Sequence, residues 1–196
     1  IEGQITLVEN SLRPSKKEKI DTLWTLTERM EHYHCPAVSI AVIDNYELVW
    51  ARAYGWADKT AKIPATTATL FQAASISKSV NALGVLKWVE ENNIDLNADI
   101  NNYLKTWQFK YSKKSKGKTI SLSHLLSHTA GISAHGFKGY KPNMPLPSTT
   151  QILDAKSPAN SDKVKPLFAP GVKFKYSGGG TTITQLILAE NTKMAY

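Results

Sequence analysis

One long apolar segment places the strongest constraint on how this chain can fold. Residues 79–89 read S-V-N-A-L-G-V-L-K-W-V, so apolar side chains fall on nearly every face of a helix. Such a helix needs cover on all sides. We therefore expect it to run from Ser75 to about Asn92 as the central, buried helix of a globular domain. Asn92-Asn93 suits a left-handed cap at the C-terminal end of this helix.

Ser75 and Lys78 stand at the start of this segment, in the tetrapeptide S-I-S-K. Residues three apart share a helix face, so both side chains can reach the same point. A serine becomes a nucleophile when a neighbouring base takes its proton, and a lysine is such a base where burial or nearby cations lower its pKa. The simpler alternative is a Ser75 that caps the helix and a Lys78 on the surface.

An amphipathic helix and a β-hairpin are predicted before this segment. Apolar residues recur with a roughly helical period from about Lys16 to His34. Pro36 then favours an extended start, and residues 37–43 are rich in β-branched side chains. A turn at Asp44-Asn45 leads into a second strand from Tyr46 to Trp56. The two strands should pair antiparallel.

The chain after Asn93 is predicted to be mostly helical. Residues 134–170 are rich in Pro, Gly, Ser and Lys and indicate loops. Ser121 is expected to cap the first of the helices in this region. The predicted helices cover about residues 121–128, 148–155 and 181–191.

The charge of the chain is strongly positive, with a formal net charge of +8. Much of the excess lies between residues 105 and 118, interleaved with aromatic side chains. An anionic partner such as nucleic acid is one interpretation. We favour a solvated loop with aromatics packed beneath it, and no nucleic-acid partner, because no recognised nucleic-acid module accompanies the run. The residues concerned are Lys105, Trp107, Phe109, Lys110, Tyr111, Lys113, Lys114, Lys116 and Lys118.

Composition also limits other classes of function. Cys35 is the single cysteine, which excludes an intrachain disulfide, and its position before a strand favours a small buried hydrophobe. His124, His128 and His135 lie close in sequence, but H-E-x-x-H is absent and no acidic ligand is near, so we expect no metal. No apolar run approaches the roughly 20 residues of a transmembrane helix.

Three segments, in this order, resemble the serine β-lactamase and penicillin-binding-protein superfamily. They are Ser75-Ile76-Ser77-Lys78, the stretch L-L-S-H-T-A-G-I at 125–132, and F-K-Y-S-G-G-G at 174–180. The resemblance is closest to the branch of class C β-lactamases, DD-peptidases and related esterases, and covers the chain from about Lys19. It implies an α/β (α+β) fold with an antiparallel sheet lobe flanked by helices and a mostly helical lobe.

The resemblance also implies roles for individual residues. Ser75 matches the nucleophile that forms an acyl-enzyme, Lys78 its activating partner, and Tyr176 the tyrosine of the Y-x-N element, which could exchange the Ser75 proton as a phenolate. Gly178 occupies the substrate-binding position of the asparagine in that element and offers only backbone. His128 is expected to be structural.

For the molecule as a whole, the resemblance implies residues 1–70 as the helix and hairpin of one lobe, and 71–196 as the helical lobe. The expected function is serine hydrolysis of an ester, amide or β-lactam carbonyl without a cofactor. The alternative is a non-catalytic binding or scaffold protein of the same fold, since Gly178 replaces asparagine and the third family motif, K-T-G or H-x-G, is absent. Members continue beyond the equivalent of Tyr196, so the missing strands are expected to come from a partner chain or a swapped copy, or to have been lost. A periplasmic or secreted location is expected.

Overall fold

The computed structural model describes residues 1–14 and 22–194. Two compact units divide the chain, Ile1–Gln72 and Ala73–Tyr196. The first contains helices α1 (Glu2–Asn10) and α2 (Leu26–His32) and strands β1 (Ala37–Asp44), β2 (Glu47–Asp58) and β3 (Ile63–Pro64). The second contains helices α3 (Ser77–Asn92), α4 (Leu122–Leu126), α5 (Thr149–Asp154) and α6 (Gly178–Thr192).

The predicted hairpin is confirmed. Strands β1 and β2 pair antiparallel from Ala37↔Gly55 to Asp44↔Glu47. Asn45 and Tyr46 connect them, both with positive φ (48° and 65°), as a type I′ turn requires. The hydrophobic pattern was therefore sufficient to locate both strands.

The short strand β3 was not predicted. It pairs with the end of β2 and gives the sheet order β1-β2-β3. Its second residue is Pro64. A proline is tolerated here because β3 lies at the edge of the sheet, where a missing N–H costs no ladder hydrogen bond.

The first predicted helix is shorter than expected. Its portion at 16–21 lies outside the described residues, and Trp24 forms an isolated bridge with Leu12 instead of a helical turn. Helix α2 begins after Thr25 because a capping box fixes its start there. The Thr25 hydroxyl accepts from the Glu28 N–H, and the Glu28 carboxylate accepts from the Thr25 N–H at 2.7 Å.

Helix α3 ends as predicted, with Asn93 in the left-handed conformation, but it is not buried on all faces. Asn81, Val85 and Trp88 face the core, whereas Val80 and Leu83 are 66% and 68% exposed. The prediction of a fully covered helix is wrong for the described residues. An apolar pattern shows which faces need cover, but it does not supply the elements that provide it.

The main core lies in the second unit, where α3 and α6 pack together and α4 and α5 contact α6. Its side chains come from all four helices and the segments between them. The most completely buried are Val85, Ile100, Ile120, Leu122, Ile132, Leu153, Ile183 and Ile187. This core fixes the start of α3 against the start of α6.

The lysine-rich segment packs as the favoured interpretation predicted. Trp107 and Phe109 are buried, and Tyr111 meets the Phe109 ring edge-on at 5.2 Å. The Tyr111 hydroxyl donates to Asp99 and accepts from the Ile120 N–H. The aromatic side chains of this segment thus belong to the core, beneath the lysine-bearing loop.

Candidate active site

Ser75 and Lys78 meet at the start of α3. A 3₁₀ turn at Ala74–Ile76 leads into the helix and places the two residues one turn apart. The Lys78 Nζ donates to the Ser75 Oγ at 3.3 Å. Ser75 is exposed and Lys78 half-buried, so the hydroxyl faces solvent while the ammonium lies behind it. Ser75 is therefore accessible to a substrate.

The backbone just before Ser75 is strained. Ala74 has φ 45°, in the left-handed region that side chains with a Cβ rarely adopt. A single non-glycine residue in this region costs on the order of 1–2 kcal/mol. Such strain persists only where the surrounding structure holds it, and it recurs at active sites. The turn thus presents Ser75 in one defined orientation.

Tyr176 completes the cluster from the other side. Its hydroxyl lies 2.9 Å from the Ser75 Oγ, a hydrogen bond in which either atom can donate. The Lys78 Nζ lies 5.1 Å from the centre of the Tyr176 ring. The Lys78 ammonium and the Ser75 hydroxyl both interact with the phenol oxygen and lower the pKa of Tyr176 below its usual value. Ser75 thus forms hydrogen bonds with both Lys78 and Tyr176, although Tyr176 is about a hundred residues away in the sequence.

Two histidine rings pack against Tyr176. The His128 ring centre lies 4.5 Å from that of Tyr176, and the His135 ring centre lies 4.9 Å from it. Burial, with the Lys78 charge as a smaller contribution, lowers the pKa of His128, so it is neutral at pH 7. Its Nδ1 accepts from the Ser177 N–H at 3.3 Å. His128 therefore orients the segment that carries Tyr176, in agreement with the structural role expected for it.

Ser177 anchors Tyr176 to the core. Its Oγ accepts from the Gly180 N–H at 3.1 Å as the N-cap of α6, and donates to the Ser133 carbonyl at 2.7 Å. Tyr176, the residue before Ser177, is thereby held at the start of this helix. Sequence reasoning did not identify this cap, because the three glycines that follow Ser177 disfavour a helix and the predicted start was placed at residue 181.

Three glycines form the first turn of α6, and at two of them there is no space for a side chain. A Cβ at Gly178 would lie 3.0 Å from the His135 carbonyl oxygen, and one at Gly179 would lie 2.9 Å from Val164 Cγ2. The Gly178 N–H donates to the His135 carbonyl at 3.0 Å. That N–H is therefore engaged within the protein and holds the His135 loop beside Tyr176, and the substrate-binding role of Gly178 stays a prediction.

His124, the third of the histidines between residues 124 and 135, contributes to a helix cap. Its Nδ1 lies 3.0 Å from the Ser121 hydroxyl, and Ser121 is the N-cap of α4, as predicted. Across residues 1–14 and 22–194, no three His, Cys, Asp or Glu side chains are grouped as metal ligands would be. In the same part of the chain, no helix has the length and hydropathy needed to cross a bilayer.

Comparison with known proteins gives matches along nearly the whole chain. A family model described as Beta-lactamase matches residues 25–196. Protein flp of Staphylococcus aureus (strain MRSA252) is 25% identical over 191 residues, covering 94% of this chain and 35% of flp. Penicillin-binding protein 4* of Bacillus subtilis (strain 168) is 22% identical, covering 92% of this chain and 38% of that protein. The chain thus spans little more than a third of the length of these curated relatives.

A solved structure agrees on the fold. The octameric penicillin-binding protein homologue from Pyrococcus abyssi superposes with a TM-score of 0.66 at 24% identity, covering 87% of this chain and 38% of that one. The predicted α/β class, with a small antiparallel sheet and a mostly helical part, is confirmed. Since the family model matches most of the sequence, the chain belongs to the beta-lactamase family.

Proposed function

We propose that this protein is a serine hydrolase that forms an acyl-enzyme at Ser75 from an ester, amide or β-lactam carbonyl. The observation that supports this most directly is the 2.9 Å contact between the Ser75 Oγ and the Tyr176 hydroxyl, with Lys78 donating to the same Oγ. A nucleophile within hydrogen-bond reach of its base, and a base held by a third group, is the arrangement that activates an alcohol. No cofactor enters this proposal.

Each step assigns a defined movement of one proton. The Ser75 Oγ–H passes its proton to the Tyr176 phenolate while Oγ bonds to the carbonyl carbon. Collapse of the tetrahedral intermediate breaks the bond to the leaving group, which takes the proton back from Tyr176. Water then attacks the acyl-enzyme and gives a proton to Tyr176; the bond between the acyl carbon and the Ser75 Oγ breaks, and Oγ takes that proton back from Tyr176. The positive charge of Lys78 stabilises the phenolate.

Labelling tests the nucleophile directly. A fluorophosphonate or a fluorescent penicillin should add one mass increment to the protein, and digestion should place it on Ser75. The Ser75→Ala variant should take up no label. Labelling of wild type and variant to the same extent would overturn the assignment.

A non-catalytic binding or scaffold protein is the second candidate. One specific observation favours it: Gly178 has no side chain, and its N–H is committed to the His135 carbonyl, so this position offers a substrate no donor. Turnover of p-nitrophenyl acetate separates the two candidates. A hydrolase loses this turnover in Ser75→Ala, whereas equal rates for the wild type and the variant would support the scaffold.

The cellular setting of the proposal rests on the family alone. We place the protein in the periplasm or outside the cell, as a serine hydrolase of peptide-like or small acyl substrates. We also propose that this chain associates with a partner chain or a second copy of itself, supported by the octameric state of the homologue from Pyrococcus abyssi. Size-exclusion chromatography with light scattering tests for the second copy.

A further inference from the structure

A cavity of about 360 Å³ lies beside Tyr176, within the second unit. Two loops form it, one at residues 133–138 and the other at residues 160–165. Two hydrogen bonds fix the second loop: the side-chain amide of Asn160 donates to the Gly139 carbonyl at 2.6 Å, and the Lys165 carbonyl accepts from the Ser133 N–H at 3.0 Å. The proposed mechanism leaves this cavity without a role.

The charge around the cavity is mostly positive. Lys138, Lys163 and Lys165 line it, against a single carboxylate from Asp162. Lys163 is paired with Asp154 at 3.0 Å. Within residues 1–14 and 22–194, neither Lys138 nor Lys165 forms an ion pair with an acidic side chain. The cavity therefore has two lysine ammonium groups available to an anion.

A hydroxyl is also available. The Ser161 Oγ, which belongs to the lining, is buried and has no hydrogen-bond partner in the described part of the chain. Buried polar atoms are almost always hydrogen-bonded, because an unpaired one costs about 1–3 kcal/mol. A ligand oxygen in the cavity would provide this partner. The lining thus combines two lysine ammonium groups that form no ion pair with one hydroxyl that has no hydrogen-bond partner.

The cavity is connected to the cluster around Ser75 through its own wall. The Gly178 N–H donates to the His135 carbonyl and the Gly179 N–H to the Ala134 carbonyl, each at 3.0 Å. The His135 ring lines the cavity and also packs on the Tyr176 ring. From the Ser75 Oγ, the path crosses Tyr176 and then His135. The Tyr176 and His135 rings therefore link Ser75 to the cavity.

We propose that this cavity binds a carboxylate at the far end of the acyl group, so that the preferred substrates are acidic acyl esters or amides. The proposal rests on the hydrolase function proposed above, and it names the substrate class of that site. Lys138 and Lys165 supply the charge, and the Ser161 hydroxyl donates one hydrogen bond.

Two substrates of equal length test the preference. The p-nitrophenyl half-ester of adipic acid carries a carboxylate at the position where p-nitrophenyl hexanoate carries a methyl group. In the Lys138→Gln/Lys165→Gln variant, kcat/KM for the adipate ester should fall about tenfold, the scale of one lost charge-assisted hydrogen bond. The value for hexanoate should change less than twofold. Lys114→Gln, an exposed lysine outside the cavity, should leave both unchanged.

A binding measurement separates this proposal from the hydrolase function. Adipate titrated into ¹⁵N-labelled Ser75→Ala protein should shift the amide signals of Gly136, Ser161 and Lys163, and the double lysine variant should show no such shifts. Absence of ester turnover together with these shifts would overturn the hydrolase and preserve the anion site. Absence of the shifts, or an equal loss for both esters in the double variant, would overturn the anion site.

Discussion

Tyr176 is the residue on which the proposed chemistry depends most. A free tyrosine titrates near pH 10, where a phenolate is scarce under ordinary conditions. The Lys78 ammonium and the Ser75 hydroxyl lower the pKa of Tyr176, because both interact more favourably with the phenolate than with the phenol. Hydrolysis should therefore increase with pH and level off below pH 10.

The ionisation of Tyr176 can be measured directly. Removing the ammonium in Lys78→Met should raise the pKa of Tyr176 toward 10, read from the ¹³Cζ shift of labelled tyrosine. The Tyr176 signal is the one absent in Tyr176→Phe. Lys173→Met removes a lysine that lies over the Phe168 ring instead, and should leave the titration unchanged. An unaltered Tyr176 titration in Lys78→Met would contradict the role assigned to the ammonium.

His128 links the site to the stability of the fold. Burial lowers the pKa of His128 in the folded protein, so the unfolded chain binds the proton more readily. Its contribution to stability is complete above about pH 6.5, the unfolded value, and is lost as pH falls through the lower folded value.

Substituting His128 should therefore flatten the acid side of the stability profile. Asparagine tolerates the φ of 56° at this position and offers an oxygen to the Ser177 N–H. Between pH 7.5 and 5, the urea midpoint of His128→Asn should fall less than that of the wild type. His32→Asn, at an exposed position of the first unit, provides the control. Identical pH dependence in wild type and His128→Asn would refute this assignment.

The sequence was sufficient to nominate Ser75, Lys78 and Tyr176, because each stands in a short motif whose order matches the family. It gave no signal for the contact between His135 and Tyr176, because His135 stands in a loop with no periodic pattern. Ser177 did carry a signal, a serine before a helix, but the three following glycines concealed it. Glycine is required in this first turn because Val164 and Ala134 leave no room for a side chain at Gly179. Only the folded structure shows that these two residues lie there.

At the scale of elements, the loop after α4 depends on one backbone conformation. Gly131 has φ +66°, and a Cβ there would lie 2.5 Å from the Phe168 carbonyl oxygen. Gly117 has a similar φ of +72° but no atom within 4 Å of the same position. Alanine at Gly117 would therefore meet only the cost of a left-handed backbone, whereas alanine at Gly131 would also meet a steric clash.

Alanine at these two positions should have unequal effects. Gly117→Ala should lower the free energy of unfolding by about 1 kcal/mol, for the left-handed conformation alone. Gly131→Ala should cost about 3 kcal/mol or more, because the Phe168 backbone must also move. Urea denaturation followed by circular dichroism measures both. Equal costs would show that the loop moves freely away from Phe168.

Elements with strong local signals were predicted well. The hairpin followed from alternation and a turn, and the caps at Asn93 and Ser121 from residue type. Strand β3 and the true start of α2 were missed, because an edge proline disfavours a strand and the helical period ran past the capping box at Thr25. In both cases local hydrogen bonds outweighed the broader hydrophobic pattern: the Ala65 N–H donates to the Gly55 carbonyl beside β3, and the Thr25–Glu28 capping box starts α2.

At the scale of the molecule, the exposed apolar side of α3 departs most from expectation. Val85 on the inner side is fully buried, whereas Leu83 is 68% exposed. The sequence could not predict this difference, since both residues belong to the same apolar run. Burial depends on which elements lie against each side of the helix.

Substitutions on the two sides of α3 should differ in cost. Leu83→Gln should change the free energy of unfolding by no more than about 0.5 kcal/mol, as is usual for a surface position. Val85→Ala should cost about 2 kcal/mol, from lost burial and the cavity left behind. Urea titration of both variants provides the comparison. A cost above 2 kcal/mol for Leu83→Gln would mean that this side is covered in solution.

The hydrogen bond from Asn81 to Thr184 joins the helix that follows Ser75 to the helix that follows Tyr176, at 2.8 Å in a buried position. Sliding either helix by one residue would move its end by about 1.5 Å. That distance is enough to separate the Ser75 and Tyr176 hydroxyls. The distance between the Ser75 and Tyr176 hydroxyls is therefore set by the alignment of two helices, which are joined about two turns further along.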